Sequence, residues 1–235
     1  FCLSLVIQFM ATQNRAGVTM AEICYQSAWE LAKAIKSKNI KSTEILESYQ
    51  ERIEKLNPEI NAVVTTDFPG SLDLAHKADK ATEKGSFRGP LHGLPITIKD
   101  NLEVKGLKCT AGFPSLKNHI SKTDADLVRS LKKAGAIIFG KTNLPSFGND
   151  FQTFNKIFGQ TNNPWDLSKT PGGSSGGSAA AIATGLTTFD IGNDIGGSIR
   201  HPANFCGVYG HKPSYGIIPS KGMIPPMPGL FRGDY

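Results

Sequence analysis

The stretch from Pro171 to Arg200 constrains this chain more than any other, because it holds two glycine-rich loops that each present serine. The first, Gly172 to Gly177, carries Ser174 and Ser175 and runs into the small-residue segment from Ser178 to Thr184, which reads as a tightly packed helix. The second runs from Gly192 to Gly197 and ends at Ser198. Gly196 and Gly197 let the backbone take positive φ and bring bare amides close to a bound atom, which is how a pocket for a developing negative oxygen is built. Ser198 therefore stands where an acyl-transfer nucleophile would.

A serine hydroxyl attacks poorly until a base takes its proton. Lys99 is the best candidate base: it closes the apolar, β-branched segment from Gly93, which reads as a strand delivering an amine to its end. A free lysine has a pKa near 10.4, so on the order of 0.1% or less is neutral at pH 7. Burial must lower that value by roughly 3, which corresponds to about 4 kcal/mol of desolvation.

The Lys99 segment, the Gly-Gly-Ser-Ser-Gly-Gly-Ser loop and the stretch Asp194 to Arg200, in this order and spacing, closely resemble the amidase signature family of serine hydrolases over about residues 20–228. The resemblance implies a Ser-cisSer-Lys triad, with Ser198 as nucleophile, Ser174 as the bridging serine on a cis peptide, and Lys99 as the base at the end of the relay. It implies an oxyanion hole made of the backbone amides of Ile195, Gly196, Gly197 and Ser198, with Ser175, Asp194 and Arg200 supporting the loops. The implied reaction is hydrolysis of a carboxamide, through an acyl-serine, to an acid and an amine or ammonia, with no metal, nucleotide or flavin cofactor. The implied fold is α/β, a mixed β-sheet core covered by helices on both faces. Asn193 departs from the family pattern, which more often shows Thr or Ser there. Its expected effect is a changed side chain beside the oxyanion loop, with activity kept.

Relatives are typically far longer, so residues 20–235 are expected to be the N-terminal portion of a single amidase domain, truncated at the C-terminus. Strands that complete the sheet and much of the substrate pocket would lie beyond Tyr235. Fatty acyl amides, aryl amides, indoleacetamide-like compounds and peptide C-terminal amides are all handled by relatives. A second class of relative, the A-type glutaminase component of a tRNA-dependent amidotransferase, would carry the same triad. Ile195 and the stretch Tyr209 to Gly216 resemble the stand-alone amidases more. A binding remnant without activity is the third reading, and the intact triad argues against it.

Composition agrees with an ordinary globular chain: 39% of residues are hydrophobic and 20% charged. The net charge of +6 comes partly from lysines at 33–41 and 105–141, interleaved with few aromatics, so a solvated basic surface is expected and no nucleic-acid partner. The expected partner is a small-molecule amide, with homo-oligomerisation left open. Cys2, Cys24, Cys109 and Cys206 are scattered without metal-ligand spacing, which fits a reducing compartment and a cytoplasmic location. A thiol mechanism through Cys206 is the weaker reading, since small buried cysteines are commoner than catalytic ones. Residues 1–19 read as an apolar leader or upstream segment. The run 1–11 is too short to span a bilayer, and weak membrane association is expected only if it ends a longer apolar segment.

The rest reads as scaffold. Ser27 to Glu30 is a capping box opening a helix whose apolar face is Trp29, Leu31, Ala32 and Ile35. A second helix is expected over 42–56, stopped by Asn57-Pro58, then a strand over 61–66 and a helix over 71–84. Residues 124–134 read as a helix with Leu127, Val128 and Leu131 inward, and 136–139 as a buried strand. Phe147, Phe151, Phe154 and Phe158 are expected to plug gaps in the core.

Three motifs compete. Gly135 to Thr142 satisfies the phosphate-loop formula, but its variable residues are an apolar strand and Pro145 opposes a following helix. Gly172 to Gly176 matches a nucleophile elbow with Ser174 central, which needs a strand before it and a histidine such as His201 or His211. Ser130 to Lys133 is an S-x-x-K on the solvated side of a helix.

Overall fold

A computed structural model describes residues 23–226 and the backbone of Ile7–Gln8. Six strands form one mixed sheet: β1 (Ile7–Gln8), β2 (Val63–Thr66), β3 (Pro95–Lys99), β4 (Ile137–Thr142), β7 (Asp190–Ile191) and β8 (Tyr209–Gly210), in the spatial order β2-β4-β3-β7-β1-β8. A separate hairpin pairs β5 (Phe154–Asn155) with β6 (Gly159–Gln160). At the centre, β3 lies parallel to both β4 and β7, while β2 and β1 are antiparallel to their neighbours.

Every residue of β3 and β4 is buried. A strand points alternate side chains to opposite faces, so both faces of the sheet are covered there. Phe139 stacks on Tyr49 of α2 (Ser42–Ile60) and on Phe68 of α3 (Phe68–Glu83), each at 5.7 Å between ring centres. On the other face, Thr142 meets Ser178 of α5 (Gly176–Ala183) at 3.0 Å. Two further short helices are α4 (Asp126–Lys133) and α6 (Arg200–Cys206). No helix among the described residues is long and apolar enough to cross a membrane.

The capping box forms at the start of α1 (Ala28–Lys36): Ser27 Oγ accepts from the Glu30 amide at 3.2 Å, and Glu30 Oε2 accepts from the Ser27 amide at 2.9 Å. Leu31 and Ile35 face inward, but Trp29 does not. It is 67% exposed, with the Lys33 ammonium over its ring. Trp29 precedes Leu31 by two positions, about 200° of helical rotation, so the two cannot share a narrow face.

Helix α2 runs through Asn57-Pro58 rather than stopping there. Pro58 withholds only the N–H that would reach the Glu54 carbonyl, and Glu54 is at the surface where water can replace it. The extra turn buries Ile60 and ends at Asn61 in the left-handed conformation, φ 53°. Asn57 then secures the exit, its Oδ1 accepting from the amides of Ala62 and Val63 at 2.9 Å each. Helix α3 starts three residues before its expected position because Asp67 caps it, accepting from the Gly70 amide at 3.1 Å.

Strand β4 extends three residues past Phe139, so the phosphate-loop formula falls on a buried strand. The phenylalanines after it do not plug the core. Phe151 and Phe154 are more than half exposed, and Phe147 and Phe158 are half-buried. The polar side chains of Asn143, Asn155 and Thr161 fill the interior of that segment instead, joined by hydrogen bonds of 2.7 to 3.0 Å. Residues 1–19, read as a leader, lie outside the described residues apart from the Ile7–Gln8 backbone.

Candidate active site

The parallel strands β3 and β7 end side by side, which is where open α/β sheets form their crevices. Lys99 is the last residue of β3 and is completely buried. Its Nζ donates to Ser174 Oγ at 2.7 Å, Ser175 Oγ at 2.9 Å and Asn193 Oδ1 at 2.5 Å. Burial pulls the Lys99 pKa down to about 7, against the opposing pull of the Asp190 and Asp194 carboxylates. Beneath it Asp190 Oδ2 accepts from Thr97 Oγ1 at 2.6 Å and Thr142 Oγ1 at 3.1 Å, and burial raises this carboxyl's own pKa.

The serines reach Lys99 because the backbone before and within α5 approaches its neighbours very closely. A Cβ on Gly177 would lie 2.6 Å from the Asn143 carbonyl oxygen, so only glycine lets the first turn of α5 dock there. The Gly173–Ser174 peptide is cis. Ser198 is half-buried, and its carbonyl accepts from the Ser175 amide at 3.0 Å, tying the two loops together. Ser198 and Ser174 line one small cavity of about 30 Å³, together with Asn101, Asn193, Phe147 and Ile195. Asn101 Oδ1 is buried there without a hydrogen-bond partner. A larger groove of about 760 Å³, over α3, Phe87 and the start of β4, contains none of these residues.

Asp194 organises the second loop. Its carboxylate accepts from the amides of Gly197 at 2.7 Å, Ile199 at 3.1 Å and Arg200 at 3.2 Å, and from the Arg200 guanidinium. Burial alone would raise its pKa, but Arg200 and these amides hold the carboxyl well below the usual carboxylate range. One expectation changes as a result. The Gly197 amide points at Asp194, because the turn at Gly197 (φ +127°) folds the loop back onto that carboxylate. Among the described residues, the amides of Ile195, Gly196 and Ser198 take no part in the Asp194 contacts.

The competing motifs lose their geometry here. The residues leading into Ser174 form no strand. His201 packs between Phe151 and Phe205 with Nδ1 near the Gly173 backbone, and His211 is exposed. Burial pushes the Cys206 thiol up to about 12, the opposite of an activated nucleophile. Ser130 lies exposed on α4, its hydroxyl donating to the Asp126 carbonyl at 3.2 Å.

Two features escape a reading of the sequence. Asn193, expected only to vary the surroundings of the oxyanion loop, makes the shortest of the three contacts to Lys99. Lys141, counted among surface lysines, is fully buried, with Nζ 3.8 Å from Asp100 Oδ1 and donating to the Leu102 carbonyl. A lysine alternating with Ile137 and Phe139 in a buried strand is the signal that could have found it.

A buried lysine amine bonded to two serines thus lies where parallel strands end. Residues 44–231 match the family described as Amidase, and the chain belongs to that family. It is 44% identical, over 86% of its length, to the A-type subunit of glutamyl-tRNA(Gln) amidotransferase from Carboxydothermus hydrogenoformans, and covers 42% of that relative. The corresponding protein of Moraxella catarrhalis is 44% identical over 87% of this chain and 42% of its own. Among solved structures, a fatty acid amide hydrolase superposes with a TM-score of 0.80 at 30% identity, over 87% of this chain and 36% of that one. The peptide amidase of Stenotrophomonas maltophilia does so with a TM-score of 0.80 at 36% identity, over 85% and 42%. The chain thus spans about two-fifths of the length of the curated relatives it matches.

Proposed function

We propose that this chain carries the catalytic core of an amidase that hydrolyses a carboxamide through an acyl-enzyme on Ser198. The observation that carries this reading is the 2.7 Å contact between Ser174 Oγ and a fully buried Lys99 whose pKa lies near 7, beside the cavity that Ser198 lines. Neutral Lys99 takes the proton of Ser174, which takes that of Ser198 as its oxygen attacks the carbonyl. The amides of Ile195, Gly196 and Ser198 hold the oxyanion. The same relay then returns a proton to the leaving nitrogen, water attacks the acyl-serine, and the acid departs. The orphaned Asn101 Oδ1 offers an acceptor for an N–H of the substrate amide.

A second reading is favoured by the 44% identity to the amidotransferase proteins: glutamine as the amide, with ammonia as the product. Mass spectrometry after treatment with a serine-directed fluorophosphonate tests the shared chemistry. A single adduct on Ser198 is expected, and an adduct on Ser174 would overturn the assignment. Comparing ammonia release from glutamine and from uncharged primary amides then separates the two substrates. For Asn101→Ala, amide turnover should fall more than turnover of an ester of the same acid, which has no N–H to place.

A further inference from the structure

Three oxygen atoms surround Lys99 Nζ, and they differ in what each can do with a proton. Asn193 Oδ1, at 2.5 Å, is an acceptor only. Its amide is oriented with Nδ2 on Met223 Sδ at 3.1 Å, a weak acceptor, which leaves the oxygen for Lys99. Ser175 Oγ, at 2.9 Å, has its hydroxyl directed to the Asn193 carbonyl and also faces the Asn193 amide, both at 3.4 Å. Among the described residues Ser174 Oγ bonds only to Lys99, at 2.7 Å.

A charged ammonium has three N–H groups, and all three oxygens satisfy it. A neutral amine has two N–H groups and one lone pair, so one of the three contacts must reverse. Asn193 Oδ1 has no proton to give, and the Ser175 hydroxyl has the Asn193 carbonyl as an alternative acceptor at 3.4 Å, whereas Ser174 Oγ has no partner but Lys99 among the described residues. The reversed contact is therefore Ser174, whose hydroxyl turns to donate to the Lys99 lone pair.

We propose that Asn193 is the positioning residue that sets this polarity: by holding one N–H of Lys99 with a neutral acceptor, it leaves the lone pair facing Ser174. The direction of proton transfer in the relay rests on the function proposed above, but the Asn193 to Lys99 contact does not. Neutrality of the acceptor matters as much as its place. The charged groups facing Lys99 are Asp190 on β7 and Asp194 in the following loop. Asp100, next in the chain, is engaged by Lys141 and by Thr110. A third carboxylate at position 193 would hold the ammonium.

Asn193→Asp, nearly identical in shape, is the direct test. The titration of Lys99 can be read by NMR on the chain with 13Cε-labelled lysine, the resonance being assigned by its loss in Lys99→Met. In Asn193→Asp the midpoint should rise by about 1 to 3 pH units. Fluorophosphonate labelling of Ser198 should then slow by at least about fivefold at pH 7 and recover along the new titration curve. In Asn193→Leu, which removes the acceptor, the midpoint should fall and labelling should slow at every pH. An unchanged Lys99 midpoint in either Asn193→Asp or Asn193→Leu overturns the proposal. A Ser198 that never labels in the parent, beside a midpoint that shifts as stated, overturns the hydrolase reading and leaves the Asn193 contact standing.

Discussion

Arg200 closes on Asp194 through two hydrogen bonds of 2.9 Å each, Nε to Oδ2 and Nη2 to Oδ1. The pair is lopsided: the Arg200 side chain is 56% exposed and that of Asp194 not at all. Removing the arginine opens a contact that water can remake, whereas removing the carboxylate strands the three loop amides it receives.

Asp194→Ala should therefore destabilise the fold by about 3 kcal/mol, and Arg200→Ala by about 1 kcal/mol or less, in urea unfolding. Asp194 is held below its unfolded pKa, so its contribution is present above that value and lost as pH falls through the folded one. The stability gap between the parent and Asp194→Asn should stay constant down to about pH 4 and close only below it.

Lys99 titrates in the opposite sense. Its folded pKa of about 7 lies below the unfolded value, so the unfolded chain holds the extra proton between the two. Stability should rise with pH over roughly pH 7 to 10, by as much as about 4 kcal/mol. Urea midpoints of Lys99→Met over the same range should lack that rise, and Ser198 labelling in the parent should climb through pH 7 on the same titration.

Two glycines in the serine loops should respond very differently to alanine. A Cβ at Gly177 would lie 2.6 Å from the Asn143 oxygen and 2.9 Å from that of Ala62, both backbone atoms. Gly177→Ala should lose about 2 kcal/mol or more. A Cβ at Gly196 meets nothing within 4 Å, and Gly196→Ala should melt within about 0.5 kcal/mol of the parent. Thermal unfolding of the two variants side by side decides it.

The Lys141 and Asp100 pair lies wholly inside the protein. Lys141→Ala leaves an uncompensated buried carboxylate and should cost about 3 to 5 kcal/mol. Adding Asp100→Asn, which removes the charge and keeps the shape, should recover part of that loss in a double-mutant cycle.

Much of this architecture is legible in the sequence because the chemistry is concentrated in short runs whose residue types serve one purpose. Glycines flanking Ser174 and Ser198 announce close backbone approach, and the apolar run before Lys99 announces a buried strand end. The strand, helix, strand order over residues 94–139 follows from periodicity. What escapes are residues whose role depends on a partner distant in sequence. Asn193 reads as an ordinary loop residue until Lys99, 94 positions earlier, is folded against it. Lys141 looks like one more surface lysine until Asp100 is placed opposite. Hydrophobicity alone turns Trp29 inward, although position along the helix decides its direction. Pro58 reads as a stop, although a proline in a final exposed turn removes only one bond.

Strands β3 and β7 are hydrogen-bonded neighbours, with Ile98 opposite Ile191, so Lys99 and Asn193 sit just beyond a shared rung of the ladder. Their separation is governed by the inter-strand spacing of about 4.8 Å, a ruler that backbone pairing maintains. Ser198 hangs on a glycine-rich loop a further five residues along. Any breathing of that loop as a ligand enters or leaves would carry the serine without altering the lysine's grip on its acceptor. The base is set at the strand ends and access at the loop, and Asp194, which faces Lys99 and holds the loop amides, links the two.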